Sequence, residues 1–326
     1  MTSMDDTQAR MADAPNLRRP SGISGDGVFH VLLVVATAIV LILIALMAYD
    51  SASTTLPVFQ RFGLIGFLTG TLWSPSFVVY GALPFIYGTI LTSAIALIIA
   101  VPLAVLISIL ITEILPRRIS QPVAIVVDLL AAVPSIVWGL WGLLVLVPFI
   151  RPFEQAVAGS IGTVIPFLGG PTPGPSYFVA GLVVAIMIIP IVAALTREVF
   201  AATPRLQREA VLALGGTRWD VIRCVVIPIG RTGLAAAVVL GLGRAIGETI
   251  AVTLVVGNAP TIGNSIFAPG FTLASVIANE FNEASEELHP QALLALGVVL
   301  LAMAILINGV GLYIRQRFAR GPVGGR

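Results

Sequence analysis

The sequence predicts an all-α integral membrane protein with six transmembrane helices. Three observations carry this prediction. Of its 326 residues, 57% are apolar and only 34 are charged (18 basic, 16 acidic), and the mean hydropathy is +1.02. Soluble domains charge about a quarter of their residues. A bilayer core about 30 Å thick needs roughly 20 helical residues. Six stretches meet that length, near 29–49, 88–112, 121–149, 178–196, 233–257 and 292–314.

Residues 1–27 mix Asp, Arg, Ser, Gly and Pro without apolar periodicity, the composition of a disordered tail. The helix at 28–50 is expected to stay as an anchor, because its apolar run is long and no small-residue cleavage site follows it. The arginines set the expected orientation. Fifteen fall on one side: Arg10, Arg18, Arg19, Arg117, Arg118, six between 197 and 231, and four after helix six. Only Arg61 and Arg151 fall on the other, so the positive-inside rule places both termini in the cytoplasm and the chain in the cell membrane. The connections 50–87, 150–177 and 258–291 then face outward. The third sets Glu280, Glu283, Glu286 and Glu287 among Phe271, Leu273, Val276, Ile277 and Phe281. That spacing predicts a short helix or re-entrant hairpin with one acidic face, either a solvated loop or a surface for a partner.

What the chain lacks removes most enzyme classes. All 18 basic residues are arginine, so there is no Walker A lysine and no Schiff-base lysine. A single cysteine, Cys224, excludes an intrachain disulfide and a multi-cysteine metal site, and His30 and His289 are too far apart for an HExxH zinc motif. No cofactor or metal is expected, and any ATP chemistry must come from another chain.

The segment 203–228 is predicted as two short helices meeting at a Gly-Gly corner. Thr203 is placed as N-cap with Pro204 at the first helical position, and Gly215 and Gly216 as the C-terminal stop. Thr217 and Asp220 have capping-box spacing for the second helix, which Pro228 is expected to break. Leu206, Ala210 and Leu214 share one face of the first helix; Trp219, Ile222 and Val226 share one face of the second. Interfacial helices lying on anionic lipid are one reading of this pattern. The segment also resembles the EAA loop of ABC importer permeases of the binding-protein-dependent, MetI-like family. The pattern E-A-A-x3-G-x9-I-x-L-P is matched by Glu209, Ala210, Gly215 and Pro228, with Val211, Val225 and Ile227 as mild departures. The resemblance implies five core helices behind an extra N-terminal one, over 80–320, with 203–228 as a coupling loop seated on an ATPase subunit.

Arg244 is the one arginine inside a predicted span, 11 residues past the start at 233 and therefore about 16 Å deep. A charge there costs at least roughly 2.5–3.5 kcal/mol, so it needs a partner or a watery cavity. Glu248, four residues on, is placed on the same face, with Thr249 and Thr253 near it, and Gly243 and Gly247 form a GxxxG ridge. Two readings stay open: an Arg–Glu pair that fixes helix packing, and an oxyanion station in which the planar guanidinium holds a tetrahedral anion. Asp128 is a further carboxylate inside a predicted span, expected to be in an ion pair with an unassigned partner.

The runs Gly81–Thr89, Leu129–Gly142 and Gly243–Thr249 are similar to phosphate-specific transport permeases of the PstC type. That resemblance implies inorganic phosphate as substrate and a pathway through Arg244 and Glu248. It also implies a second homologous permease (PstA type), two ATPase subunits (PstB type) and an extracytoplasmic phosphate-binding protein (PstS type). Sulfate, molybdate or tungstate are alternative cargoes. A proton-coupled secondary transporter using Glu248 or Asp128 is an alternative of another class, but it leaves the 209–228 pattern without a task. An intramembrane phosphate-ester enzyme would need a nucleophile beside Arg244, and none is visible.

Overall fold

The computed structural model describes residues 25–284 and 288–319, so residues 1–24 of the expected 1–27 tail and Glu286 and Glu287 lie outside the described residues, while residues 25–27 already belong to a helix. The chain divides into two compact units, up to Asp50 and from Ser51 onward. Helix α1 (Gly25–Thr54) is the described part of the first unit and runs four residues past it. None of its membrane-length stretch is buried.

The second unit opens with two short helices, α2 (Leu56–Phe62) and α3 (Leu64–Thr69), and a two-stranded hairpin, β1 (Trp73–Ser74) and β2 (Val79–Tyr80). Then follow α4 (Leu83–Ile109), α5 (Arg117–Ala131), α6 (Ser135–Trp141), α7 (Val147–Gly159) and α8 (Tyr177–Ala201). The remainder is α9 (Arg205–Ala213), α10 (Arg218–Val221), α11 (Ile227–Gly247), α12 (Ile250–Val255), α13 (Leu273–Glu280) and α14 (Leu288–Ala319). Among the described residues, six continuous helical stretches are long and apolar enough to cross a membrane: Gly27–Thr54, Leu83–Ile114, Ser135–Gly159, Tyr177–Ala201, Arg218–Gly247 and Leu288–Tyr313.

The core is the α4–α8 pair, which small side chains bring together. Ala96, Ala100 and Ala104 repeat at four-residue spacing on α4, all buried; Ala96 and Ala100 share a cluster with Ala180 and Ala185 of α8, and Ala104 shares one with Val192 and Ala193 further along it. A Cβ at Gly181 would stand 2.5 Å from Ile95 Cγ2, so only glycine permits this approach. Ser108 Oγ ties the seam by donating to the carbonyls of Ala104 at 2.7 Å and Ala193 at 2.9 Å.

Two of the expected spans are placed differently. The third, expected over 121–149, is two helices. Pro134, in extended conformation, separates α5 from the span Ser135–Gly159, and α5, with Arg117, Arg118, Gln121 and Asp128 along it, has no buried residue. The fifth, expected over 233–257, begins at Arg218 and ends at Gly247. Pro228 does not break it. The five-residue turn Ile222–Val226 widens to π geometry, and the Ile227 N–H reaches back to the Ile222 carbonyl. The same device precedes Pro116 after Leu110–Ile114 and Pro148 after Gly142–Leu146. In each case the wider turn carries the helix up to a residue whose ring cannot donate and would crowd the preceding carbonyl.

The unit has two ends. At the start of α4 and α8, Trp73, Tyr80, Phe85 and Phe271 pack edge to face with one another and with the α13 region. At their other end lies the segment 203–228.

Candidate translocation and coupling sites

At the 203–228 end, the first helix starts one residue later than expected. Pro204 is its N-cap residue and offers no side-chain bond, while Thr203 is buried with an unpartnered hydroxyl. The corner forms as the glycines require. Gly215 has φ +83, and the N–H groups of Gly215 and Gly216 return to the carbonyls of Leu212 and Val211 at 3.0 Å each. The capping box is present: Thr217 N–H donates to Asp220 Oδ2 at 2.8 Å, and Asp220 N–H to Thr217 Oγ1 at 3.3 Å.

Inner and outer faces of this knob differ. Val221, Ile222 and Val226 are buried against Phe200 and Ile109. Glu209, Ala210, Gly215 and Pro228 are all exposed. Around them stand Leu206, Leu214 and Trp219, with 77%, 90% and 61% of their surface exposed. Trp219 therefore leaves the face on which Ile222 and Val226 were expected to keep it.

Arg208, which carries no sequence signal, holds the knob to the bundle. Its guanidinium sits 3.0 Å from Glu113 at the end of the second span and donates to the Phe200 carbonyl at 2.6 Å. The partner of Asp128 is Arg197 on α8, which donates to both carboxylate oxygens, at 3.0 and 3.3 Å. Both pairs join residues too far apart in sequence for periodicity to show.

The Arg244–Glu248 pair, one of the two readings open from the sequence, is not made on α11. The helix ends at Gly247, Glu248 is extended (ψ 124), and a separate helix starts at Ile250. Glu248 turns inward instead. It is buried, and its Oε1 accepts from Ala251 N–H at 3.5 Å. Arg244 lies in the last turn of α11 rather than at mid-helix, is exposed, and makes no hydrogen bond or ion pair with a described residue. A Cβ on Gly247 would meet nothing within 4 Å, and one on Gly243 would come no closer than 3.8 Å to Asn308. The GxxxG ridge is therefore open rather than packed within this chain. Thr249 and Thr253 lie beyond the break, and their hydroxyls donate to the carbonyls of Gly247 at 3.2 Å and Thr249 at 2.8 Å.

At the opposite end, Glu280 points inward rather than out from an acidic face. Its Oε2 accepts from Trp73 Nε1 at 2.8 Å and lies 3.0 Å from His289 Nε2. No group of three potential metal-binding side chains is gathered among the described residues.

An interrupted span carrying a guanidinium with no described partner, in a bundle of membrane-length helices beside an exposed apolar knob, has the architecture of a multi-pass membrane protein. The family of binding-protein-dependent transport system inner membrane components matches residues 104–320. The chain belongs to that family. It is 42% identical to the phosphate transport system permease protein PstC of Mesorhizobium japonicum over 90% of each chain. It is 41% identical to the protein of that name from Haemophilus influenzae, over 86% of this chain and 87% of the relative. Its fold is that of solved ABC transporters. A bacterial alginate ABC transporter chain superposes with TM-score 0.60 at 16% identity, covering 92% of this chain and 98% of that one. A chain of the MetNI methionine ABC transporter superposes with TM-score 0.52 at 18% identity, covering 76% and 100%.

Proposed function

We propose that the chain is the permease subunit of an ATP-driven importer that passes inorganic phosphate from an extracytoplasmic binding protein into the cytoplasm. It works beside a second, homologous permease and two ATPase subunits that hydrolyse the ATP. The observation that carries the anion chemistry is Arg244, an exposed guanidinium with no carboxylate partner among the described residues, beside the open Gly247. A planar, permanently charged fork fits a tetrahedral oxyanion, and the PstC relatives supply phosphate as the cargo. Glu248 is assigned to the pathway as the residue that holds the helix break, and Thr249 and Thr253 as hydroxyls next to it. Glu209, Ala210, Gly215 and Pro228 are assigned to the ATPase contact, with Leu206, Leu214 and Trp219 as its apolar rim.

The test is phosphate uptake by the assembled importer. Arg244→Gln should lower uptake about a hundredfold without loss of assembly, since an amide keeps polarity but loses both charge and fork. Arg244→Lys should recover part of it. Arg244→Gln combined with Glu248→Gln should remain inactive, because the two side chains are not paired. Recovery in the double variant would mean that Arg244 only neutralises Glu248. Stimulation of ATP hydrolysis by sulfate, molybdate or tungstate rather than phosphate would reassign the cargo.

A further inference from the structure

α11 and α14 touch where Val239 meets Gly311: a Cβ on Gly311 would stand 2.4 Å from Val239 Cγ2. Beside this contact the helices enclose a groove of about 610 Å³. Its walls are apolar, among them Leu234, Val238, Leu242, Leu306 and Val310, and Arg231 is the single charged residue lining it among the described residues. Arg231 is half-buried and has no hydrogen bond or ion pair with a described residue.

We propose that this groove binds one anionic phospholipid, with an acyl chain along the apolar walls and the headgroup phosphate on Arg231. Length is the first argument. Arg231 to Leu242 covers 11 residues, about 16 Å at 1.5 Å per residue. That is half of a hydrocarbon core about 30 Å thick, the depth of one leaflet. Charge is the second. Arg231 is the last of the six arginines in 197–231 and lies in the second turn of α11, where the apolar run 234–243 begins, so the positive-inside rule sets it at the edge of the hydrocarbon core. A guanidinium there with no carboxylate partner among the described residues is matched by an anionic headgroup. Position is the third. At 100° per residue the groove-lining residues of α11 centre about 150° around the helix from Arg244. The groove thus faces away from the side assigned to cargo.

The test uses the full-length protein, with whatever subunits co-purify, in phosphatidylcholine nanodiscs doped with a phosphatidylglycerol that carries a photoactivatable acyl chain. Cross-links should map to 234–242 and 306–311, and unlabelled phosphatidylglycerol should compete where phosphatidylcholine does not. Arg231→Gln should reduce labelling about fivefold, Arg231→Lys should keep most of it, and Leu306→Trp should fill the groove and remove it. Equal labelling by a photoactivatable phosphatidylcholine would overturn the proposal. So would cross-links joining the groove to a helix of another subunit instead of lipid. Headgroup competition on the unaltered protein decides the matter even if a variant fails to fold, and none of these readouts depends on phosphate transport.

Discussion

Arg208 is the residue on which the attachment of the 203–228 knob turns. Its partner Glu113 keeps only 10% of its side-chain surface exposed, and Arg208 itself keeps 22%. Removing one member of so enclosed a pair leaves a charge without compensation. Partial exposure puts the cost at about 2–3 kcal/mol, below that of a fully buried pair. Arg208→Gln should therefore loosen the knob locally while the apolar contacts of Val221, Ile222 and Val226 keep the span folded. Hydrogen exchange across 205–214 should speed up by about tenfold or more, and ATP hydrolysis in the assembled complex should lose its dependence on cargo. Unchanged exchange would show that Arg208 does not hold α9. At this scale the sequence was least legible. Glu113 and Arg208 lie 95 positions apart, and Asp128 and Arg197 lie 69 apart, so no spacing rule reaches them. Asp128 could be singled out only as a carboxylate that needed a partner.

Elements were legible wherever local chemistry dictates them and illegible where proline acts through its surroundings. The Thr217–Asp220 capping box and the positive φ at Gly215 follow from residue type at fixed spacing, and both are present. Proline was harder to read, because its effect depends on the turn before it. Pro134 divides a predicted span, yet Pro228 sits inside a continuous one behind a π turn. The break after Gly247 was missed for a related reason: the residues from Gly241 to Thr253 keep a helical apolar pattern across it, while Glu248 leaves the helix to take up the Ala251 N–H. Gly215 gives the prediction at this scale. A Cβ there would meet nothing within 4 Å, so Gly215→Val brings no clash, only the strain of φ +83 for a β-branched residue. That strain is about 1–2 kcal/mol, enough to re-aim the corner and too little to unfold the bundle. Membrane insertion should persist while retention of the ATPase in pull-downs and phosphate uptake both fall several-fold. Gly215→Ala should do less harm than valine. Normal uptake with full ATPase retention in Gly215→Val would argue against a coupling role for the corner.

For the whole molecule, the six-helix class followed from length and hydropathy alone, since a chain this apolar has few other ways to satisfy its backbone. Each role proposed above also depends on which end of the bundle faces the cytoplasm, and the fold makes that testable. The second span runs 32 residues, about 48 Å, from the hairpin end to the knob end. That exceeds a bilayer core of about 30 Å, so both ends must emerge from it. Ser76, in the hairpin, and Gln207, in α9, are both exposed at these opposite ends. By the positive-inside rule Gln207 is expected in the cytoplasm: Arg197, Arg205, Arg208, Arg218, Arg223 and Arg231 flank it in sequence, while Arg61 and Arg151 fall in the segments expected outside. With Cys224 replaced by serine, a cysteine at Ser76 should react with an impermeant maleimide on intact cells. One at Gln207 should react only after the membrane is opened. The control matters because Cys224 is itself exposed, four residues past the capping box and on the knob side. In the parent protein it should behave as Gln207→Cys does. Labelling of Gln207→Cys from outside, with Ser76→Cys protected, would place the knob beyond reach of any cytoplasmic ATPase and end the importer reading.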